Sequence, residues 1–98
     1  YRELTVTATT LTAMARGIRN GWLNRQEYLP AVAHAWAAIG ARVGEDGTVW
    51  DVCTSTGAGP TLEYYLDRPI VNGPDDRGGG LTLLAAVEME ELLRYLED

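Results

Sequence analysis

From Leu81 to Val87 the chain reads Leu-Thr-Leu-Leu-Ala-Ala-Val, which is apolar on nearly every side of any helix that it forms. A helix apolar all round is one surrounded by protein, whereas a surface helix keeps a polar face. The pattern predicts a helix from about Gly79 to Leu96, with Asp75 or Asp76 near its N-terminus, where a carboxylate complements the helix dipole. A chain of 98 residues can form one modest core but has little apolar surface to spare for exposed faces. It also opens on Tyr1 without an initiator Met and with a helical pattern close behind, so we expect a piece cut from something longer.

Two more helical patterns precede this one. The first runs from about Thr5 to Asn20, with Ala8, Leu11, Ala15, Ile18 and Trp22 at three- and four-residue steps. Thr5, Thr9, Thr12 and Arg16 share a neighbouring face, and the small Ala and Thr side chains would let another helix approach closely. Gly17 and Gly21 mark its loosening and its end. The second pattern starts at Asn24, where Glu27 three residues later makes a capping box. Leu29, Val32, Ala33, Trp36, Ile39 and Gly40 follow on one face, while Pro30 argues for a start one or two residues beyond the cap. His34 falls opposite that face with no ligand-type residue at metal spacing beside it, and reads as a solvated histidine.

An Asp46-Gly47 turn then leads into a short strand with alternating Val49, Asp51 and Trp50, Val52, enough for a small hairpin at most. Beyond it, from Cys53 to Gly80, lies a stretch that neither a helix nor a plain strand absorbs. Long connections of this kind are binding loops, lids or linkers. Tyr64, Tyr65, Leu66, Ile70 and Val71 give this one apolar groups to pin down, which argues against a linker. Glu88 lies on the same helical stripe as Leu81, Ala85 and Leu92; a carboxylate there either pairs with an arginine of another element or does catalytic work. Glu90, Glu91, Glu97 and Asp98 read as a solvated face.

The composition excludes several classes of partner. A net charge of −6 with one His and no Lys leaves no basic patch for a phosphate backbone, so no nucleic-acid partner is expected. No apolar run reaches the roughly 20 residues of a membrane span, so no membrane partner is expected either. Cys53 is the single cysteine, which rules out an internal disulfide and fits a cytoplasmic location; it reads as a small, partly buried hydrophobe. Nothing in the sequence calls for a cofactor or a metal.

The order of the pieces carries more than any one of them. Glu3-Leu4-Thr5-Val6-Thr7-Ala8, Ala15-Arg16-Gly17-Ile18-Arg19-Asn20-Gly21-Trp22-Leu23, Tyr28-Leu29-Pro30, Ala35-Trp36, Asp46-Gly47, Val52-Cys53 with Thr56-Gly57, Tyr64-Tyr65, Arg68-Pro69 and Asp75-Asp76-Arg77-Gly78-Gly79-Gly80 together closely resemble the C-terminal part of glycoside hydrolase family 105. The resemblance implies an all-α fold, the three-helix closing segment of an (α/α)6 barrel, with a small β-hairpin and a long irregular loop. It further implies an unsaturated rhamnogalacturonyl hydrolase or a relative, acting on an unsaturated uronic acid at the end of a pectin-derived oligosaccharide. In that family an Asp protonates C4 and water adds at C5; the Asp lies earlier in the barrel, and no residue here matches it.

The same resemblance makes the segment around Thr5 and Thr7 and the loop from Cys53 to Gly80 one wall of the cleft. Where the family commonly has Ser/Thr-Ser-Gly/Ala-Thr after the Glu, this chain has Leu4-Thr5-Val6-Thr7, which keeps two hydroxyls and replaces two small or polar positions. Arg77, beside a helix N-terminus and followed by glycine N–H groups, is the expected receiver of the uronate carboxylate, unless it pairs with Asp75, Asp76 or Glu88 and only holds the loop. Thr54, Thr56 and Gly57, with Gly59, either face the sugar or make turns. Trp22 and Trp36 are expected in the core, and Trp50 is the least constrained of the three tryptophans. A non-catalytic helical remnant, or a module that self-associates through exposed barrel edges, is the alternative reading.

Overall fold

A computed structural model describes residues 2–98. The first helix, α1 (Leu4–Arg19), starts at an acidic cap: the Glu3 carboxylate accepts hydrogen bonds from the N–H groups of Thr5 and Val6. Its buried stripe is the predicted one, Ala8, Leu11, Ala15 and Ile18, joined by Leu4. Trp22 does not belong to it. The chain leaves the helix through Gly21 at φ +76°, and Trp22 swings out to 74% exposure. Leu23 takes the inward place instead, resting on Gly17, where a Cβ would lie 2.7 Å from Leu23 Cδ1.

The second helix, α2 (Arg25–Gly40), begins directly at the Asn24 cap, whose Oδ1 accepts from the Glu27 N–H at 2.9 Å. Pro30 does not delay the start as expected: it stands on an exposed face near the helix start, and its missing N–H and the crowding of its ring against the preceding turn are tolerated without moving the cap. Val32 and Ile39 are buried, whereas Ala33, Trp36 and Gly40 are exposed, so the expected apolar face of α2 is only partly covered.

The turn through Asp46 and Gly47 forms, with Gly47 at φ +86° and Val43 bridged to Val49. The true partner of β1 (Val49–Cys53), however, comes from inside the long connection. A short helix, α3 (Leu62–Leu66), is capped by Thr61 and followed by β2 (Ile70–Gly73), which pairs antiparallel with β1 through Val52–Val71 and Cys53–Ile70. The stretch expected to be irregular is therefore partly ordered. Between Val49 and Val52 the register slips at Asp51, which adopts a left-handed φ of +61° and is steadied by the Arg42 guanidinium at 2.9 Å and the Asn72 side chain.

The last helix, α4 (Asp76–Glu97), starts three residues before the predicted Gly79 and takes the three glycines into its first turns. The Asp75 cap dictates this by accepting from the N–H groups of Arg77 and Gly78. Packing requires glycine at the first of the three: a Cβ on Gly78 would lie 2.7 Å from Val52 Cγ2 and 2.9 Å from Val49 Cγ2. Thr82, Ala85, Glu88, Met89 and Leu92 are buried. Leu83, Leu84 and Val87 are not, and Leu83 is 67% exposed, so this chain by itself covers the all-apolar turns on one side only.

α1 lies between α2 and α4, with β1 laid across the starts of α1 and α4. Arg16 and Arg19 meet Glu88, and both helix starts meet β1, so α1 and α4 run parallel. The molecule measures 47 × 33 × 17 Å, and its thin dimension is under two diameters of a helix of about 10–12 Å. That is the shape of a wall.

Candidate functional site

Three chain ends meet on one side of this wall: the starts of α1 and α4 and the end of β1. Glu3 joins two of them. Its carboxylate accepts from Thr5 N at 3.0 Å, Thr5 Oγ1 at 2.5 Å, Val6 N at 2.8 Å and, across 50 residues of sequence, Cys53 N at 3.0 Å. Burial alone would raise the Glu3 carboxyl; these hydrogen bonds outweigh it and hold the group below its ordinary range. Thr7 Oγ1 donates to the Glu3 carbonyl at 3.4 Å. A hollow of about 320 Å³ opens beside them, lined by Arg2, Glu3, Val6, Thr7, Ala38 and Arg42.

At the start of α4, Arg77 turns back on its own cap. Its Nε and Nη2 donate to the two Asp75 oxygens at 3.2 and 2.8 Å, a bidentate pair. The Arg77 side chain supplies the largest of the hydrogen bonds that hold the Asp75 carboxyl down at about 2, and the carboxylate in turn raises the Arg77 guanidinium further. The pairing named as one alternative is thus formed. The arginine nevertheless stays 48% exposed, with Nη1 outside the pair. Gly78, next to Arg77 in the chain, packs on Val49 and Val52, which places the end of β1 next to the start of α4.

The remaining candidate residues follow β1. Thr54 bonds the Pro69 carbonyl through its N–H at 3.1 Å and its hydroxyl at 3.4 Å, and Thr56 Oγ1 lies 3.4 Å from Cys53 Sγ. Gly57 is drawn toward α3, its N–H donating to the Tyr64 hydroxyl at 3.1 Å. Gly59 N donates to the Tyr65 hydroxyl at 3.0 Å, the two tyrosine rings meet edge to face, and Arg68 stacks on Tyr64 at 4.6 Å. Tyr64 and Tyr65 therefore pin the loop, as their apolar bulk suggested, and they do so largely through their hydroxyls. The structure brings Thr5, Thr54, Thr56 and Arg77 to one end of the wall, sets Thr7 beside the adjoining hollow, and leaves Gly57 at the margin.

Sequence reasoning gave Glu3 no role in organising the site, whereas Asp75 was expected at the start of α4 and as one of the partners open to Arg77. Glutamate is not among the preferred capping residues, and its bond to Cys53 depends on a contact that local spacing does not encode. Glu88 proves to be the buried ion pair: Arg16 Nη2 reaches Oε1 at 2.6 Å and Arg19 Nη2 reaches Oε2 at 3.1 Å. It lies well along α4, away from the three chain ends. Among the described residues no cluster of His, Cys, Asp and Glu could hold a metal, and no helix is long and apolar enough to cross a membrane.

The wall has counterparts among solved structures. Two proteins, from Klebsiella pneumoniae and from Salmonella enterica serovar Paratyphi A, each described as a possible member of the GH105 family, superpose on 97% of this chain with TM-scores of 0.82 and 0.83 at 23% identity. The chain spans 24% of the length of each. The fold is accordingly a segment of the (α/α)6 barrel found in glycoside hydrolases. No curated protein matches the chain. Residues 1–93 match the model of Glycosyl Hydrolase Family 88, and the chain belongs to that family.

Proposed function

We propose that this chain is the C-terminal portion of a larger (α/α)6-barrel glycosidase that acts on unsaturated uronic-acid oligosaccharides of the pectin, rhamnogalacturonan type. The observation that carries the reading is the meeting of Thr5, Cys53, Thr54 and the start of α4, which bears Arg77, at one end of a family 88 barrel wall. Arg77 receives the uronate carboxylate. Asp75 fixes its Nε and Nη2, so that Nη1 and the exposed edge face the ligand. Thr5 donates its hydroxyl proton to Glu3, which leaves the oxygen lone pairs to accept from sugar hydroxyls. Thr7, Thr54, Thr56 and the Gly57 backbone line the approach. We place the enzyme in the cytoplasm, with which the absence of a disulfide within this chain is compatible.

The reaction is hydration of the C4–C5 double bond. An Asp from the earlier part of the barrel protonates C4, water adds its oxygen to C5 and returns a proton to that Asp, and the resulting hemiketal opens and releases the neighbouring sugar. The present chain supplies binding and orientation, and by itself is inactive. The longer polypeptide, incubated with an unsaturated rhamnogalacturonan disaccharide, is expected to abolish the ultraviolet absorbance of the double bond, and the 98-residue chain to leave it unchanged. Failure of the longer polypeptide on every unsaturated uronide, or turnover by the short chain, overturns the proposal.

A second reading, a non-catalytic module that associates with itself, is favoured by the exposed Leu83, Leu84 and Val87. It predicts a stable oligomer of the 98-residue chain in light scattering and no activity in any longer form.

A further inference from the structure

Glu3 does more than cap α1. Each of its carboxylate oxygens accepts two hydrogen bonds: Oε1 from Thr5 Oγ1 and Val6 N, Oε2 from Thr5 N and Cys53 N. Three of the four donors are backbone N–H groups, which can only donate, so the Thr5 hydroxyl alone has a choice of roles. Facing an oxygen that only accepts, it must donate as well. Burial works against the charge on Glu3, yet these bonds keep its carboxyl below the ordinary range, and Thr5 meets an ionised carboxylate throughout the neutral range. Thr5 is only partly buried, and among the described residues no group donates to its Oγ1. Toward a ligand it is therefore an acceptor and never a donor.

We infer that Glu3 is a positioning residue that sets the polarity of Thr5, and that the site thereby selects unsaturated uronides whose ring hydroxyl facing Thr5 is free and rejects those alkylated, acylated or sulfated there. The inference rests on the uronide reading proposed for this site. In a uronide with C1 linked to the next sugar, a double bond between C4 and C5 and a carboxylate at C6, only the C2 and C3 hydroxyls remain. Thr5 reads one of these two. A free hydroxyl donates to it, whereas an ether, ester or sulfate oxygen at that place brings lone pairs against lone pairs. The bond from Cys53 N serves the same end, because it fixes the carboxylate, and with it Thr5, against the end of β1 beside Thr54.

Deoxyfluoro analogues test the inference, since fluorine is close to a hydroxyl in size and carries no proton. The unsaturated rhamnogalacturonan disaccharide and its analogues with fluorine at C2 or at C3 of the uronide are assayed on the longer polypeptide, and kcat/KM of the parent is divided by that of each analogue. The inductive pull of fluorine is the same in every variant, so a change in the ratio isolates the contact. In Glu3→Gln, an NH2 turned to Thr5 Oγ1 costs only the Val6 N–H its acceptor, whereas the opposite orientation costs both Thr5 N and Cys53 N theirs. The first orientation wins and makes Thr5 a donor. For one of the two analogues the ratio is expected to fall by about tenfold in Glu3→Gln and equally in Thr5→Val, which keeps the tie to Cys53, while Thr5→Ser holds the wild-type value. A merely structural Glu3 slows all three substrates alike. Ratios unchanged in Glu3→Gln or in Thr5→Val, with the parent disaccharide still hydrolysed by the wild type, overturn the inference and leave the uronide reading intact; where Glu3→Gln is too unstable to assay, the two Thr5 variants decide. No hydrolysis of any unsaturated uronide by the wild type removes the uronide reading, and the inference with it.

Discussion

Glu88 is 5% exposed and would be costly to bury alone. Burial pushes its carboxyl up, but the hydrogen bonds from Arg16 and Arg19 prevail and hold it below the ordinary range. Glu88→Gln is therefore expected to destabilise the chain by about 1–3 kcal/mol, measured as a lower urea midpoint, the half-exposed arginines being partly rehydrated by solvent. Asp75 gives a sharper pH signature. Its carboxyl sits at about 2 in the fold against an ordinary 3.8, so its stabilising effect is complete above pH 3.8 and is lost as pH falls through 2. Asp75→Asn is expected to flatten that acid limb of a stability-versus-pH curve while leaving the neutral-pH curvature alone. Arg77→Ala, assayed in the longer polypeptide, is expected to raise KM for an unsaturated uronide by about tenfold or more, with Arg77→Lys restoring only part of the loss.

The three glycines at the start of α4 differ in what surrounds them. Gly78→Ala drives a methyl into Val49 and Val52 and is expected to lower stability by about 1–3 kcal/mol, although Ala is the better helix former. Gly80→Ala meets open space and is expected to raise it by up to about 1 kcal/mol; chemical denaturation of the pair decides. From sequence the helix was expected to open only at about Gly79, because glycine breaks local periodicity, and the approach of β1 explains the glycine at 78. The long helices were legible because 3.6-residue periodicity is written in neighbouring residues. β2 was not, since Ile70-Val71-Asn72-Gly73 becomes a strand only through its pairing with β1. The candidate site was legible in its hydroxyls and in Arg77 but not in Glu3, whose bond to Cys53 no local spacing announces. Trp22 misled because the helical register was carried past Gly21, where a positive φ ends it.

At the scale of the molecule, a slab 17 Å thick cannot enclose all of its apolar residues, and Leu83, Leu84 and Val87 stay in solvent. The 98-residue chain is accordingly expected to bind a hydrophobic dye such as ANS in its folded state, and the longer polypeptide to bind markedly less. The ties that hold the slab together also span most of its length: Arg16 reaches Glu88 across 72 residues and Glu3 reaches Cys53 across 50. During synthesis, then, α1 leaves the ribosome long before its main partner exists, and its face of Leu11, Ala15 and Ile18 must wait for α4. Folding of this segment begins in earnest only when α4 has emerged, and until then α1 is a natural client for a chaperone.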